Sequence, residues 1–340
     1  MASPSVTALV LAAGKGTRMK SDRAKVLHEV FFAPMIHHVM DSLAPLPLSR
    51  TIVVTGHQRA AVENALSSYR PTFVYQEKQL GTGHAVLACE RELSAQQGPV
   101  LILCGDTPLV RSGTLARLLE THKQNASLLT VMTTEVADPA HYGRIIVDAA
   151  GRFLKIVEEK DATPEQKKIR EINAGIYCVD SALLLSSLKR VGTNNKQGEL
   201  YLTDIIEVAG NEGIRTHRFR CEDSDEVLGV NTRREQARAH SLLQQRHVHA
   251  LMDSGVTILQ PESVVIGKNV TIGRDSLIHP FAVLTGTTVI GSSVTVESFA
   301  TINDSTVGDG AHVGACACLQ GRQIPGHAMA CSDARGDKVF

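Results

Sequence analysis

Short β-branched apolar runs alternate with amphipathic stretches from the start of the chain to about residue 230. Residues 6–11 predict a strand, followed by a glycine turn and a helix. Pro34 suits the opening of the next helix, where its missing amide is no loss. Met35, Ile36, Val39, Met40 and Leu43 then form an apolar stripe at helical spacing. Residues 51–55 and 72–75 predict two further strands, 59–67 and 84–93 predict helices, and 100–104 is apolar throughout, as a buried central strand should be. Such alternation implies an α/β fold with a mostly parallel sheet and helices on both faces.

The pattern changes after Asn231. Thr232 and Glu235 fit a capping box, Ala237, Leu243, Val248 and Leu251 continue a helix, and Gly255 can end it, so 232–255 predicts a connecting helix. Ile266, Ile272, Ile278, Leu284, Ile290, Val296 and Ile302 are then spaced six apart, a step of five leads to Val307, and steps of six reach Val313 and Leu319. Glycine directly follows five of these positions, at 267, 273, 291, 308 and 314. Ordinary amphipathic strands repeat every two residues, whereas aliphatic residues at a fixed period of six mark a parallel β-helix with inward stacks. This predicts a short hexapeptide-repeat β-helix over 256–323, and a mobile tail over 324–340, where no phase continues.

Composition adds exclusions. The 340 residues are 43% hydrophobic, enough for a full domain and a smaller second one. With 35 basic and 35 acidic residues, nothing points to nucleic acid or an anionic membrane. No stretch approaches the ~20 apolar residues of a membrane span, and the N-terminus lacks the pattern of a signal peptide. Seven scattered cysteines read as reduced thiols of a cytoplasmic protein. His37, His38, His247 and His249 lack the i, i+4 spacing of a helical zinc site and read as surface or interface residues.

The first chemistry-bearing segment is Leu11-Ala12-Ala13-Gly14-Lys15-Gly16-Thr17-Arg18-Met19, between a predicted strand and a helix. Small residues there let backbone amides approach a phosphate. A dinucleotide-binding G-x-G-x-x-G is excluded because Met19 stands at the third glycine, and the P-loop pattern is absent. A tight strand-to-helix turn accounts for the loop equally well. Asp106 follows the apolar run 100–104, so it is placed either to hold a divalent cation beyond a strand's carboxyl end or to cap a turn.

The segment L-A-A-G-K-G-T-R-M with Ala24-Lys25-Val26-Leu27 resembles the signature of sugar nucleotidylyltransferases. Further matching stretches lie at 76–85, 105–109, 142–145, 156–163, 171–175, 197–204 and 226–231, in family order. The set resembles the N-acetylglucosamine-1-phosphate uridylyltransferases, the N-terminal half of a bacterial bifunctional enzyme. This implies a Rossmann-like nucleotide-diphospho-sugar transferase domain over 1–231, and it implies that the β-helix is left-handed. It also implies transfer of UMP from UTP to N-acetylglucosamine 1-phosphate with Mg²⁺, a homotrimer, and a role in supplying cell-wall precursors.

Residue by residue, the resemblance makes Arg18 and Lys25 the catalytic phosphate-binding cations, and Asp106 and Asn231 the magnesium ligands. Substrate binding falls to Leu11, Ala12, Ala13, Gly14, Lys25, Cys104, Gly105, Asp106 and Asn231. Gln76, Gly81 and Thr82 match uracil-binding positions, and Gly143, Glu158 and Asn173 match those that hold the amino sugar. Cys104 departs from the pattern, since many members carry tyrosine there; a nucleophilic role for it has no support, because direct attack by a sugar phosphate needs none. Longer members carry acetyltransferase motifs in later coils, so acetyl transfer is expected to be absent. The competing readings are a transferase for another sugar or base, a non-catalytic homologue, and a β-helix acyltransferase.

Overall fold

The computed structural model describes residues 5–95, 98–332 and 338–339. Two compact units emerge: residues 1–29 with 33–236, and residues 30–32 with 237–340.

The first unit is built on a nine-stranded sheet. In chain order its elements begin with β1 (Val6–Ala12), then the two-residue strands β2 (Glu29–Val30) and β3 (Ala33–Pro34), which pair outside the sheet. Next come α1 (Met35–Leu43), β4 (Leu48–Thr55), α2 (Arg59–Ala65), β5 (Thr72–Tyr75), α3 (Thr82–Leu87), α4 (Glu90–Ser94) and β6 (Pro99–Cys104). After these follow α5 (Ser112–Gln124), β7 (Leu129–Glu135), β8 (Arg144–Val147), β9 (Phe153–Val157), β10 (Glu171–Asp180), α6 (Ser181–Leu188), α7 (Ile205–Asn211) and β11 (His217–Arg220). The sheet order is β11-β7-β10-β6-β1-β4-β5, with β8 and β9 attached at β10. The run β6, β1, β4 and β5 is parallel, while β10 opposes both its neighbours.

The alternation along β1 explains the two layers of helices. Ala8 and Val10 pack with Ile36, Val39, Leu115 and Leu118 of α1 and α5, while Leu9 packs with Val86, Leu93, Leu184 and Ile205 of α3, α4, α6 and α7. Both faces are covered, so β6 at the middle of the sheet is apolar throughout rather than alternating. The predicted helix over 84–93 is two helices, broken around Ala88 and Cys89. Of the histidines expected at a surface or interface, His38 is buried, His37 packs on Tyr69 and bonds the Ala65 carbonyl at 2.9 Å, and His247 packs on Phe31. All seven cysteines are free.

Helix α8 (Arg233–Asp253) opens on the predicted box: the Glu235 carboxylate accepts from the Thr232 amide at 2.8 Å, and the Thr232 hydroxyl accepts from the Glu235 amide at 3.2 Å. The second unit is then three parallel ladders of short strands. Ile266 stacks on Leu284, Ile302 and Leu319, Ile272 on Ile290, Val307 and Ile324, and Ile258 on Ile278, Val296, Val313 and Ala330. These side chains form one buried cluster, as a β-helix requires. The stacking runs beyond the phased repeat: residues 324 and 329–332, read from the sequence as tail, belong to strands that pair with the coil beneath. The rest of that segment, 333–337 and 340, lies outside the described residues.

Candidate active site

The parallel run places the carboxyl ends of β1, β4, β5 and β6 on one side, where ligands bind in open α/β sheets. A cleft of about 350 Å³ opens there. Leu11, Ala12, Ala13, Gly14, Lys25, Gln76, Gly81, Thr82, Cys104 and Asp106 line it, so ten of the residues singled out in the sequence converge. The loop after β1 is shaped for an incoming group. Gly16 sits in the left-handed region at φ 65°, and a Cβ there would lie 2.6 Å from the Lys25 Cβ, so only glycine lets Lys25 pass. Gly105 ties the loops by donating to the Leu11 carbonyl at 2.9 Å.

Lys25 is the centre of the charge arrangement. Its ammonium salt-bridges Asp106 and donates to the Asn231 Oδ1 at 2.6 Å. Arg18, which does not line the cleft, donates to the same Asn231 oxygen at 2.8 Å. The two oxygens that share one ammonium lie no more than two hydrogen-bond lengths apart. One carboxylate and one carboxamide oxygen are hard-oxygen donors of the kind magnesium takes while it keeps its other positions for phosphate and water. Buried Glu226 secures the Asn231 loop: it accepts from the Arg111 amide and the Thr114 hydroxyl, each at 3.0 Å, while the Val230 amide donates to the Asp106 carbonyl at 2.9 Å.

Gln76 is almost fully buried. Its Nε2 faces the Gly81 carbonyl at 3.2 Å and the His84 Nδ1 at 2.9 Å. A carbonyl can only accept, so this nitrogen is committed and Oε1 is left to accept from a ligand.

Gly143, Glu158 and Asn173 form a second cluster in the same unit, outside the cleft lining. The Asn173 amide donates to the Gly143 carbonyl at 2.9 Å, and a Cβ on Gly143 would be 3.5 Å from Glu158 Oε1. Glu158 accepts from the Thr203 hydroxyl at 3.4 Å, and burial raises its carboxyl above the usual glutamate range. Cys104 stands beside this cluster, its thiol 3.9 Å from the Gly175 carbonyl. Burial pushes that thiol up to about 12, so it is neutral and no nucleophile.

Gln79, Glu199, Val26 and Ala85 also line the cleft and were not singled out from the sequence. Gln79 donates to the Ala13 carbonyl at 2.9 Å, joining the two loops. It and Glu199 lie inside the matching stretches 76–85 and 197–204, which was the available signal.

Comparison with known proteins fits this geometry. The MobA-like NTP transferase domain matches residues 8–169. The bifunctional protein GlmU of Desulfotalea psychrophila is 47% identical over 92% of this chain and 92% of its own length. That of Heliobacterium modesticaldum is 45% identical over 89% of this chain, which spans 66% of that protein's length. A solved UDP-glucose pyrophosphorylase complexed with UDP-glucose superposes with a TM-score of 0.58 at 20% identity, over 71% of this chain and 99% of that one, and shares the fold. No helix among the described residues is long and apolar enough to cross a membrane. With its nucleotide-transferase sheet, a loop-lined cleft at the strand ends and close relatives along nearly its whole length, the chain belongs to the GlmU family of nucleotidyltransferases.

Proposed function

We propose that the protein transfers UMP from UTP to N-acetylglucosamine 1-phosphate in the cytoplasm, releasing pyrophosphate. The observation that carries this reading is the meeting of Lys25, Arg18, Asp106 and Asn231 at one point beside the cleft. An oxygen of the sugar phosphate attacks the α-phosphorus, the bond to the bridging oxygen breaks, and pyrophosphate leaves. Two anions must approach, so Lys25 and Arg18 neutralise charge that grows on the phosphates. Backbone amides of the loop Leu11 to Gly14 receive the phosphates. Asp106 and Asn231 would hold Mg²⁺, which supplies further positive charge to the phosphate oxygens when bound.

Gln76 supports the choice of base. Its free Oε1 can accept from the imide N–H that uracil presents. Thymine presents the same imide and cytosine an exocyclic N–H, which the nucleotide panel below tells apart. Glu158 accepts from sugar hydroxyls and Asn173 pairs with the acetamido group. The reading includes a homotrimer: the outward residues Val265, Val283, Thr301 and Cys318 make one β-helix ladder face uncharged, which can pack against a different face of the next copy around a three-fold axis.

The test is pyrophosphate release across UTP, dTTP, CTP and ATP, each with N-acetylglucosamine 1-phosphate and glucose 1-phosphate, with and without chelator. The UTP and N-acetylglucosamine 1-phosphate pair is expected to dominate and to depend on magnesium. Release from another pair at higher kcat/KM, or undiminished release in chelator, overturns the assignment. Light scattering that shows a monomer at micromolar concentration overturns the trimer.

A further inference from the structure

Strand β10 carries an irregularity whose consequence lies in the amino-sugar cluster. Asn173 pairs with Thr133 and Tyr177 with Val131, so four steps along β10 match two along β7. Gly175, between them, sits at φ 71°. In a regular strand, side chains four residues apart are separated by about 13 Å. Here the bulge folds them together, and the Asn173 Nδ2 lies 2.6 Å from the Tyr177 hydroxyl oxygen.

The direction of each hydrogen bond is fixed by chemistry. The Gly175 amide can only donate, so the Asn173 atom 3.0 Å from it is Oδ1. The atom facing Tyr177 is therefore Nδ2, and the phenol accepts. Tyr177 is 2% exposed, so solvent does not compete for this contact. Burial and the neighbouring Glu158 charge raise the phenol above its usual range, which keeps it neutral at working pH. The Asn173 carboxamide is left with one N–H and one lone pair, held in a single orientation. That is the complement of an N-acyl group, which offers a carbonyl and an N–H. An ammonium offers only donors.

We propose that Tyr177 is a positioning residue that sets amino-sugar specificity, by locking the Asn173 carboxamide so that it favours an N-acylated sugar phosphate over the free amine. This rests on the amino-sugar reading of the cluster given above. Tyr177→Phe keeps the ring and removes only the acceptor. It should raise KM for N-acetylglucosamine 1-phosphate about three- to tenfold, the loss of roughly one hydrogen bond, with KM for UTP unchanged. Discrimination against glucosamine 1-phosphate should fall by a similar factor. An unchanged sugar-phosphate KM, or a parallel rise in both KM values, overturns the proposal.

A measurement on the wild type stands beside the variant, should Tyr177→Phe fail to fold. In protein labelled with ¹⁵N-asparagine, one Asn173 carboxamide proton should resist exchange, and the other should shift on adding N-acetylglucosamine 1-phosphate. Equal, rapid exchange of both protons refutes the lock. Wild-type turnover separates the two levels of inference. If the wild type uses N-acetylglucosamine 1-phosphate and Tyr177→Phe behaves identically, only the role of Tyr177 fails. If the wild type does not use it, the substrate assignment fails and this proposal falls with it.

Discussion

Replacing Lys25 with methionine removes the charge at the centre of the candidate site and keeps most of the side chain's length. Lys25 and Asp106 have side chains only 12% and 21% exposed, so water screens their attraction incompletely. Removing one partner of a fully buried pair costs about 3–5 kcal/mol. The Asp106 carboxylate opens on the cleft and can regain water, so a loss of about 2 kcal/mol is expected here. In a unit of this size that lowers Tm by roughly 4–8 °C. The effect on rate should be larger. A charged donor aimed at developing negative charge contributes about 10²- to 10³-fold to kcat. Pyrophosphate release at saturating substrate, together with thermal melts of Lys25→Met, Asp106→Asn and the double variant, separates the two effects. The cycle should return a Lys25–Asp106 coupling of about 1–2 kcal/mol in stability. Turnover within about threefold of wild type would refute the assignment of Lys25 to phosphate charge, whatever the melt shows.

Three further outcomes follow from other parts of the molecule. Gly81→Ala should cut kcat/KM for UTP by about tenfold or more, because Gly81 sits at φ 110° and an added Cβ would lie 2.5 Å from the Leu200 carbonyl, which must displace the loop holding Gln76; wild-type kinetics would show that the loop does not touch the base. Burial raises Asp204 from the usual 3.8 to about 6, so the unfolded chain ionises first as pH rises, and the stability present below about pH 4 is lost as pH passes through 6. Asp204→Asn should therefore melt higher than wild type at pH 8, by about 1–1.5 kcal/mol once solvent screening of this half-exposed group is allowed for, and the gap should close near pH 4; a gap independent of pH would refute this. Ile302→Ala, in the fully buried stack between Leu284 and Leu319, should cost about 2–5 kcal/mol in urea unfolding of the β-helix, and a loss below about 1 kcal/mol would mean the stack repacks.

Much of the architecture was legible because apolar periodicity reports burial directly. The apolar run of β6 and the stripe of α1 read correctly for that reason, as did the six-residue stack from Ile266 to Leu319. The end of the stack did not. A step of five leads from Leu319 to Ile324, and the next inward position holds only Ala330, with Pro325 and Gly326 between. The coil continues there with Ile324 and Ala330 still buried in the stack, but a second five-residue step and an inward alanine weaken the periodicity that marks it. The histidines of α1 misled for a related reason. His38 lies on the packed face of a helix whose other buried positions are apolar except for Ser42, whereas the lack of metal-ligand spacing reads it as a surface or interface residue.

The candidate site divides along the same line. Lys25 is separated from Asp106 by 81 residues and from Asn231 by 206, so no local pattern could join them, and only the ordered set of family stretches did. Tyr177 escaped because its link to Asn173 depends on a bulge, and a regular strand would have kept the two apart. The structure adds a division of labour that residue types alone do not express. Charge is gathered around Lys25, where the proposed phosphate chemistry would need it. On the function proposed above, recognition would rest on two neutral carboxamides, Gln76 and Asn173, each turned by a backbone group that can play only one role: the Gly81 carbonyl accepts and the Gly175 amide donates. A carboxamide offers donor and acceptor faces of nearly equal shape, so its selectivity is lost if it can flip. Glycine at 81 and 175, both at positive φ, brings those backbone groups into line. On the proposed assignment the glycines therefore bear on specificity through the orientation of a neighbouring side chain, Gly81 in addition to lining the cleft itself.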